Sequence, residues 1–333
     1  MDVSALTWWV TIGLLSAFLV VDIAVIGRRP HVPTMKECAI ALAFFVGLAI
    51  LFGLWVWWSE GGQYAGEFYA GWLTEYSLSI DNLFVFLLIM RKFLVPEKYQ
   101  QAALLIGIVI AIVLRGIFIA LGAAVINQYA WIFYLFGLFL IYTAVKLARE
   151  GQSDDDRAPG EAREFEEHRF LKWVERRFPV ATDYNGTRLT VSEAGKRLVT
   201  PMFIVILALG TTDLLFALDS IPAIYGLTKE PYLVLTANIF ALMGLRQLYF
   251  LIGGLLERLV YLSIGLSVLL AFIGVKLILH ALHENNLPFV NNGQPLPVPD
   301  IPISVSLGAI VLILGVTAVA SLVKSAHDDR SIA

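Results

Sequence analysis

Cysteine is nearly absent: Cys38 stands alone in 333 residues. A single thiol excludes an intrachain disulfide and leaves a cysteine metal site or dithiol chemistry without support. Charge is scarce as well, at 15% against 58% hydrophobic residues, with a mean hydropathy of +0.76. Those proportions exclude an ordinary water-soluble domain. A chain of this length and composition is a polytopic membrane protein, whose core is measured in spans. Its first residues, Met1-Asp2-Val3-Ser4, lack the basic stretch and small-residue cleavage site of a secretory signal, so the first apolar run reads as a retained helix. No nucleophile–base pair, phosphate loop or cysteine dyad occurs. Neither an enzyme nor a resident cofactor is therefore expected. The formal net charge of −3 singles out no partner, and nucleic acid is not expected as one.

Nine apolar runs of spanning length are present, at about 5–26, 38–58, 68–90, 101–125, 129–148, 198–226, 232–254, 258–281 and 302–323. In lipid each must satisfy its backbone polar groups internally, so each is predicted to be a helix. Nineteen of the 24 basic residues then fall on one side of the membrane, ten of them between Arg149 and Arg197, and only Lys229 falls on the other. By the positive-inside rule the N-terminus is outside and the C-terminus cytoplasmic, in a plasma membrane. The connection 149–197 begins with a polar linker at Asp154-Asp155-Asp156. It continues as an amphipathic helix over 161–178, suited to anionic lipid or to docking on the helix ends. A hairpin follows over 180–191, centred on Asn185-Gly186. The outer segment 285–302 reads as an irregular loop.

Against this apolar background two acidic stretches stand out. The first is Glu75-Tyr76-Ser77-Leu78-Ser79-Ile80-Asp81-Asn82, and the second runs from Thr211-Thr212-Asp213 to Asp219-Ser220-Ile221-Pro222-Ala223. A carboxylate at membrane depth costs roughly 2.5–3.5 kcal/mol on insertion scales unless it is partnered, so intramembrane acids mark function by default. The stretches belong to a longer pattern. Glu75 and Asp81, Arg115, and Val145-Lys146-Leu147 occur one per span in spans three to five; Asp213 and Asp219, Arg246, and Val275-Lys276-Leu277 follow in the same order in spans six to eight. Three spans is an odd number, so the second unit is inserted upside down. The expected architecture is one all-α transmembrane domain over 1–333. It holds repeat one at 68–148, the cytoplasmic connection at 149–197, an inverted repeat two at 198–281 and a last helix at 302–323.

Six residues of straight helix advance about 9 Å and turn 600°, which sets the two acids of a stretch some 120° apart. One ion can be shared within a stretch only if the helix unwinds, as Pro222 and the Ser, Thr and Asn neighbours permit. Otherwise the site takes one acid from each repeat, with Asp81 and Asp219 at its centre and Glu75 and Asp213 flanking. Ser79, Asn82, Thr212 and Ser220 offer further oxygens, and Asn238 lies on the face of Arg246. A helix-packing ion pair of the acids with Arg115 and Arg246 is the structural alternative, although two positive charges against four negative ones leave a deficit. All-oxygen ligation without His or Cys points to a hard divalent cation such as Mn, Mg or Ca. His280 and His283 with Glu284 read as an interfacial cap before a metal pair, Lys146 and Lys276 as snorkelling residues, and Asp22 as a partner of Arg28 or part of an exit path.

These motifs, with Leu242-Met243-Gly244-Leu245-Arg246 and Gly274-Val275-Lys276, closely resemble the TerC/Alx family of integral membrane proteins over nearly the whole chain. The resemblance implies nine helices and export of manganese or a related divalent cation, with Glu75, Asp81, Asp213 and Asp219 as its site. The family label of redox modulator finds no support in one cysteine. Many members have Glu three positions before the first Asp of the second motif, where this chain has Gly210, a gap that bears on affinity and selectivity. The transported ion and the bilayer are the expected partners. A membrane scaffold or metal-stress sensor acting through 149–197 is the competing function.

Overall fold

The computed structural model describes the chain apart from residues 2, 29–32, 129–130, 153–180, 182–183, 194–195, 253–260, 284, 286, 288–289, 300 and 333, and leaves some further side chains, including those of Asp81 and Asp219, outside the description. Helix starts follow local chemistry. Thr34 and Glu37 form a reciprocal capping box at the head of α2 (Met35–Glu60). Thr200 accepts from the Phe203 amide at the head of α6 (Pro201–Tyr225), whose first residue is proline, as is that of α7 (Pro231–Met243). Gly61 alone separates α2 from α3 (Gly62–Lys92), at φ 99°, a left-handed conformation that glycine adopts without strain.

The remaining helices are α1 (Ala5–Arg28), α4 (Glu97–Gln128), α5 (Ile132–Gln152), α8 (Leu245–Ile252), α9 (Leu262–His283) and α10 (Ile303–Ile332). Among the described residues seven helical stretches are long and apolar enough to cross a membrane, α7 and α8 counting as one, while α1 and α6 contribute shorter apolar stretches, Ala5–Val21 and Pro201–Leu214. The protein is a polytopic all-α membrane protein. Helices α2, α3 and α4 overrun their apolar runs at both ends, whereas α6 is shorter than its run at both. One expectation needs correction: the run 232–254 is broken at Gly244, just before Arg246. Of the two arrangements open for the acids, local unwinding is not seen, because α3 and α6 run unbroken through both stretches, with Pro222 inside the last turns of α6.

The connection between α5 and α6 differs from its expected form. Asn185-Gly186 makes a turn, closed by Arg188 N–H to Asn185 O at 3.2 Å, but it joins no strands. The hairpin comes later, β1 (Thr190–Glu193) pairing antiparallel with β2 (Lys196–Val199). Tyr184, just before the turn, docks instead: its hydroxyl donates to Phe93 O at 2.7 Å beyond the C-terminal end of α3, and burial pushes its pKa up to about 12, so it remains a donor. The expected helix 161–178 lies outside the described residues. The described residues of 285–302 are irregular apart from one helical turn at Asn291–Gly293, and the Asn285 amide bonds to Val290 O and Gln294 O.

Packing pairs distant segments. α3 lies against α7, α4 against α6, and α5 most extensively against α9, whereas consecutive helices α3 and α4 share little contact among the described residues. Two apolar clusters result. One is continuous through Trp72, Ile119 and Ala217; the other passes through Leu83, Ala111 and Leu209. Between them each of α3, α4 and α6 carries a polar layer. At the α5–α9 crossing, backbones nearly touch: a Cβ on Gly274 would lie 2.9 Å from Gly137 O and 3.2 Å from Ile141 N. Small residues permit this approach where lipid supplies no hydrophobic drive. Gly274→Ala is expected to destabilise the fold by about 1–3 kcal/mol, the usual cost of overpacking, whereas Gly308→Ala, with nothing within 4 Å, should not. Thermal unfolding in detergent gives the comparison, and equal midpoints for the two variants would contradict the packing described.

Candidate functional site in the polar layer

The layer is built around Arg115, halfway along α4. Its Nη1 donates to Glu75 Oε2 at 2.5 Å and to Asn238 Oδ1 at 2.9 Å; Nη2 and Nε donate to the two carboxylate oxygens of Asp213 at 3.1 and 3.4 Å. One guanidinium thus gathers α3, α6 and α7. Glu75, Arg115 and Asp213 are 0, 1 and 2% exposed, so neither water nor lipid headgroups compete for these bonds. The planar five-donor fork suits this task, since it meets Asp213 with two donors and keeps a third nitrogen for the others. Asn238 is held in turn by its amide, which donates to Val234 O at 3.0 Å.

The cluster is incompletely satisfied and incompletely neutralised. Two carboxylates face one guanidinium, leaving one negative charge within it. Glu75 Oε1 accepts no hydrogen bond, and the buried hydroxyls of Thr74, Ser79 and Ser220 also find no partner. Ser220 stands beside Glu75 without completing a bond to it. Helical periodicity explains which residues join. Ser79 and Asn82 follow Glu75 by four and seven positions, on its face of α3; Ala217 and Ser220 follow Asp213 by the same steps on α6. Asn82 and Thr212 are both buried in this layer. Such a set of hard oxygens around residual negative charge has the chemistry that holds a hard cation.

The sequence-predicted residues divide accordingly. Glu75, Asp213, Arg115 and Asn238 come together, whereas the expectation puts the two acids at the flanks. Arg115 pairs one acid from each acidic stretch. Asp81 and Asp219 lie at the expected positions on α3 and α6, but their side chains are outside the described residues. Among the described residues no group of three His, Cys, Asp or Glu side chains is arranged to hold a metal. Arg246 does not join the Arg115 cluster. It opens α8 after the break at Gly244, where the Gln247 amide, turned so that its oxygen faces the guanidinium, accepts from Nη2 at 2.7 Å. Gly210, one turn before Asp213, sits at the α4–α6 contact, where a Cβ would lie 3.3 Å from Ile110. Sequence reasoning passes over Glu67, a buried acid just outside the third apolar run, whose carboxylate accepts from Thr228 Oγ1 at 2.6 Å.

The sequence pattern described as the integral membrane protein TerC family matches residues 60–329, which include every member of this layer. The chain belongs to the TerC family. An uncharacterized membrane protein of Mycobacterium tuberculosis is 47% identical over 322 residues, covering 96% of this chain and 80% of the relative. Another from Myxococcus xanthus is 37% identical over 97% of this chain and 94% of its own. The putative membrane-bound redox modulator Alx of Photorhabdus laumondii is 35% identical over 94% of this chain and 93% of its own. No solved structure matches the chain.

Removing the shared cation should be costlier than removing one acid. Arg115→Met leaves two buried carboxylates without a counter-charge and is expected to cost about 3–5 kcal/mol. Adding Glu75→Gln and Asp213→Asn to that variant should recover much of the loss, since no uncompensated charge then remains in the cluster. Thermal unfolding of the three forms checks this, and a triple variant no more stable than Arg115→Met alone would contradict the electrostatic account.

Proposed function

We propose that this TerC-family protein is a secondary transporter that exports a hard divalent cation, most plausibly in chemical terms Mn(II), by alternating access of two inverted three-helix repeats within nine spans. The observation that carries the reading is the buried layer in which one arginine joins a carboxylate of α3 to one of α6 and still leaves a negative charge and open oxygens. The pairing of α3 with α7, α4 with α6, and α5 with α9 supports the inverted repeat. In such a repeat the first helix of each unit meets the second of the other, and the third helices meet each other. The basic residues set the orientation, N-terminus outside and C-terminus in the cytoplasm.

Charge balance supports a divalent substrate. Glu75, Asp81, Asp213 and Asp219 against Arg115 and Arg246 leave two negative charges in the membrane. One divalent cation balances them, and so do two protons, which gives exchange against protons a physical basis. In the transport cycle Arg115 acts as a tethered counter-ion that holds Glu75 and Asp213 when the substrate is away. Incoming metal competes for the same oxygens, and Ser79, Asn82, Thr212, Ser220 and Asn238 complete its shell. Asp81 and Asp219 add the remaining carboxylates. The redox role in the names of the Alx relatives would have one buried thiol, Cys38, to work with.

The test is Mn(II) flux in proteoliposomes. Asp81→Asn, Asp219→Asn and Glu75→Gln are each expected to lower the initial rate at least tenfold, which corresponds to about 1.4 kcal/mol or more of transition-state stabilisation. Flux unchanged in all three would refute the site.

A further inference from the structure

A cavity of about 590 Å³ opens where α3 begins, lined among others by Gln63, Glu67, Thr228, Glu230, Lys276 and His280. It is far larger than the roughly 30 Å³ one water occupies in the liquid. In the orientation set by the basic residues it faces outward. Most of its charges are engaged. Glu230 takes the Met1 ammonium at 3.0 Å, and the Lys229 ammonium lies 5.1 Å from the centre of the Phe133 ring. Glu67 differs. It is 9% exposed, yet its carboxylate is bound by neutral donors, Thr228 Oγ1 at 2.6 Å and Gln63 Nε2 at 3.2 Å, and it has no ion pair among the described residues. A carboxylate so buried on a cavity wall, with no direct ion pair among the described residues, is costly unless a cation visits it.

Two further observations tie Glu67 to the polar layer. Glu67, Thr74 and Asp81 recur every seven residues, so their positions form one stripe along α3. Midway on that stripe the Thr74 hydroxyl is fully buried and unpartnered. The second observation is an asymmetry. Glu67 precedes Glu75 by eight residues, whereas the residue eight before Asp213 is Val205, fully buried in the apolar cluster of Leu83 and Leu209. Upside-down insertion directs that valine toward the opposite membrane face. One face of the polar layer therefore has a carboxylate on its approach and the other a valine. Between the cavity and the layer, Gly71 lies close against Ile224 and Ala237.

We propose that the cavity is the release-side vestibule of the transport path and that Glu67, with Gln63 and Thr228, forms a second, weaker site there for a partly hydrated divalent cation. This rests on the export reading above. Its weakness is built in: the ligands are one carboxylate and two neutral oxygens, and Lys229 and Lys276 line the same space. A site that repels its ion slightly lets it go.

The experiment reads occupancy rather than transport. In full-length protein carrying Cys38→Ala and Ile301→Cys, the cavity-lining position 301 is labelled from outside with a membrane-impermeant maleimide, with and without Mn(II). Mn(II) is expected to slow labelling at least threefold in a saturable manner. Glu67→Gln, which removes the charge at nearly constant shape and keeps one accepting oxygen, should abolish the protection, and Thr228→Val should weaken it. Glu75→Gln should leave it intact. Absence of protection in the parent, or protection that survives Glu67→Gln, would overturn the vestibule site; so would its loss in Glu75→Gln, which would mean that the ion is held by the polar layer alone. Since labelling needs no flux, failure of the transport reading in proteoliposomes remains a separate result.

Discussion

A single guanidinium in a place without water organises this protein. Arg115 cannot be solvated at its depth, so its charge must be met by protein, and Glu75 and Asp213 meet it from two other helices. Attraction of this kind is strong in a low-dielectric interior, but so is the cost of bringing each ion there, and the net gain is small. Its value is positional. Three helices that are distant in sequence are brought to one register, and the apolar clusters on either side pack around the layer that results. The same cluster is left one charge short of neutral. That residual charge is what the proposed cation would balance.

Much of this is legible in the sequence, because membrane depth enforces simple rules. Apolar runs must be helices, and every interruption by an acid or arginine carries meaning. The spans, the two acidic stretches and Arg115 follow from that alone. Helix breaks are less legible. Gly244 interrupts an apolar run that composition alone joins, and Pro222 leaves α6 intact because it falls near the helix end, where few hydrogen bonds remain to be lost. The described hairpin lies at Thr190–Val199 rather than around Asn185-Gly186, and Tyr184, just before that turn, bonds instead to Phe93 O beyond the end of α3.

Within the site, the sequence specifies faces but not meetings. Periodicity sets Ser79 and Asn82 beside Glu75, and it sets Asp81 a third of a turn away. Which carboxylates of α3 and α6 converge depends on how each helix is rotated about its axis, and that is decided by packing elsewhere, at Gly71 against Ile224 and Gly210 against Ile110. Composition cannot express such rotations. Glu67 escapes notice for a related reason: an acid at the edge of an apolar run reads as solvated, and only the fold closes Thr228 and Gln63 over it.

The α5–α9 crossing has a mechanical consequence. Each glycine there is a socket: Ile278 seats against Gly137, and Ile141 against Gly274, one side chain from each helix. With a key on both sides, neither helix can slide or turn past the other without lifting an isoleucine out of its seat. Whatever else in the molecule shifts, α5 and α9 travel as one piece.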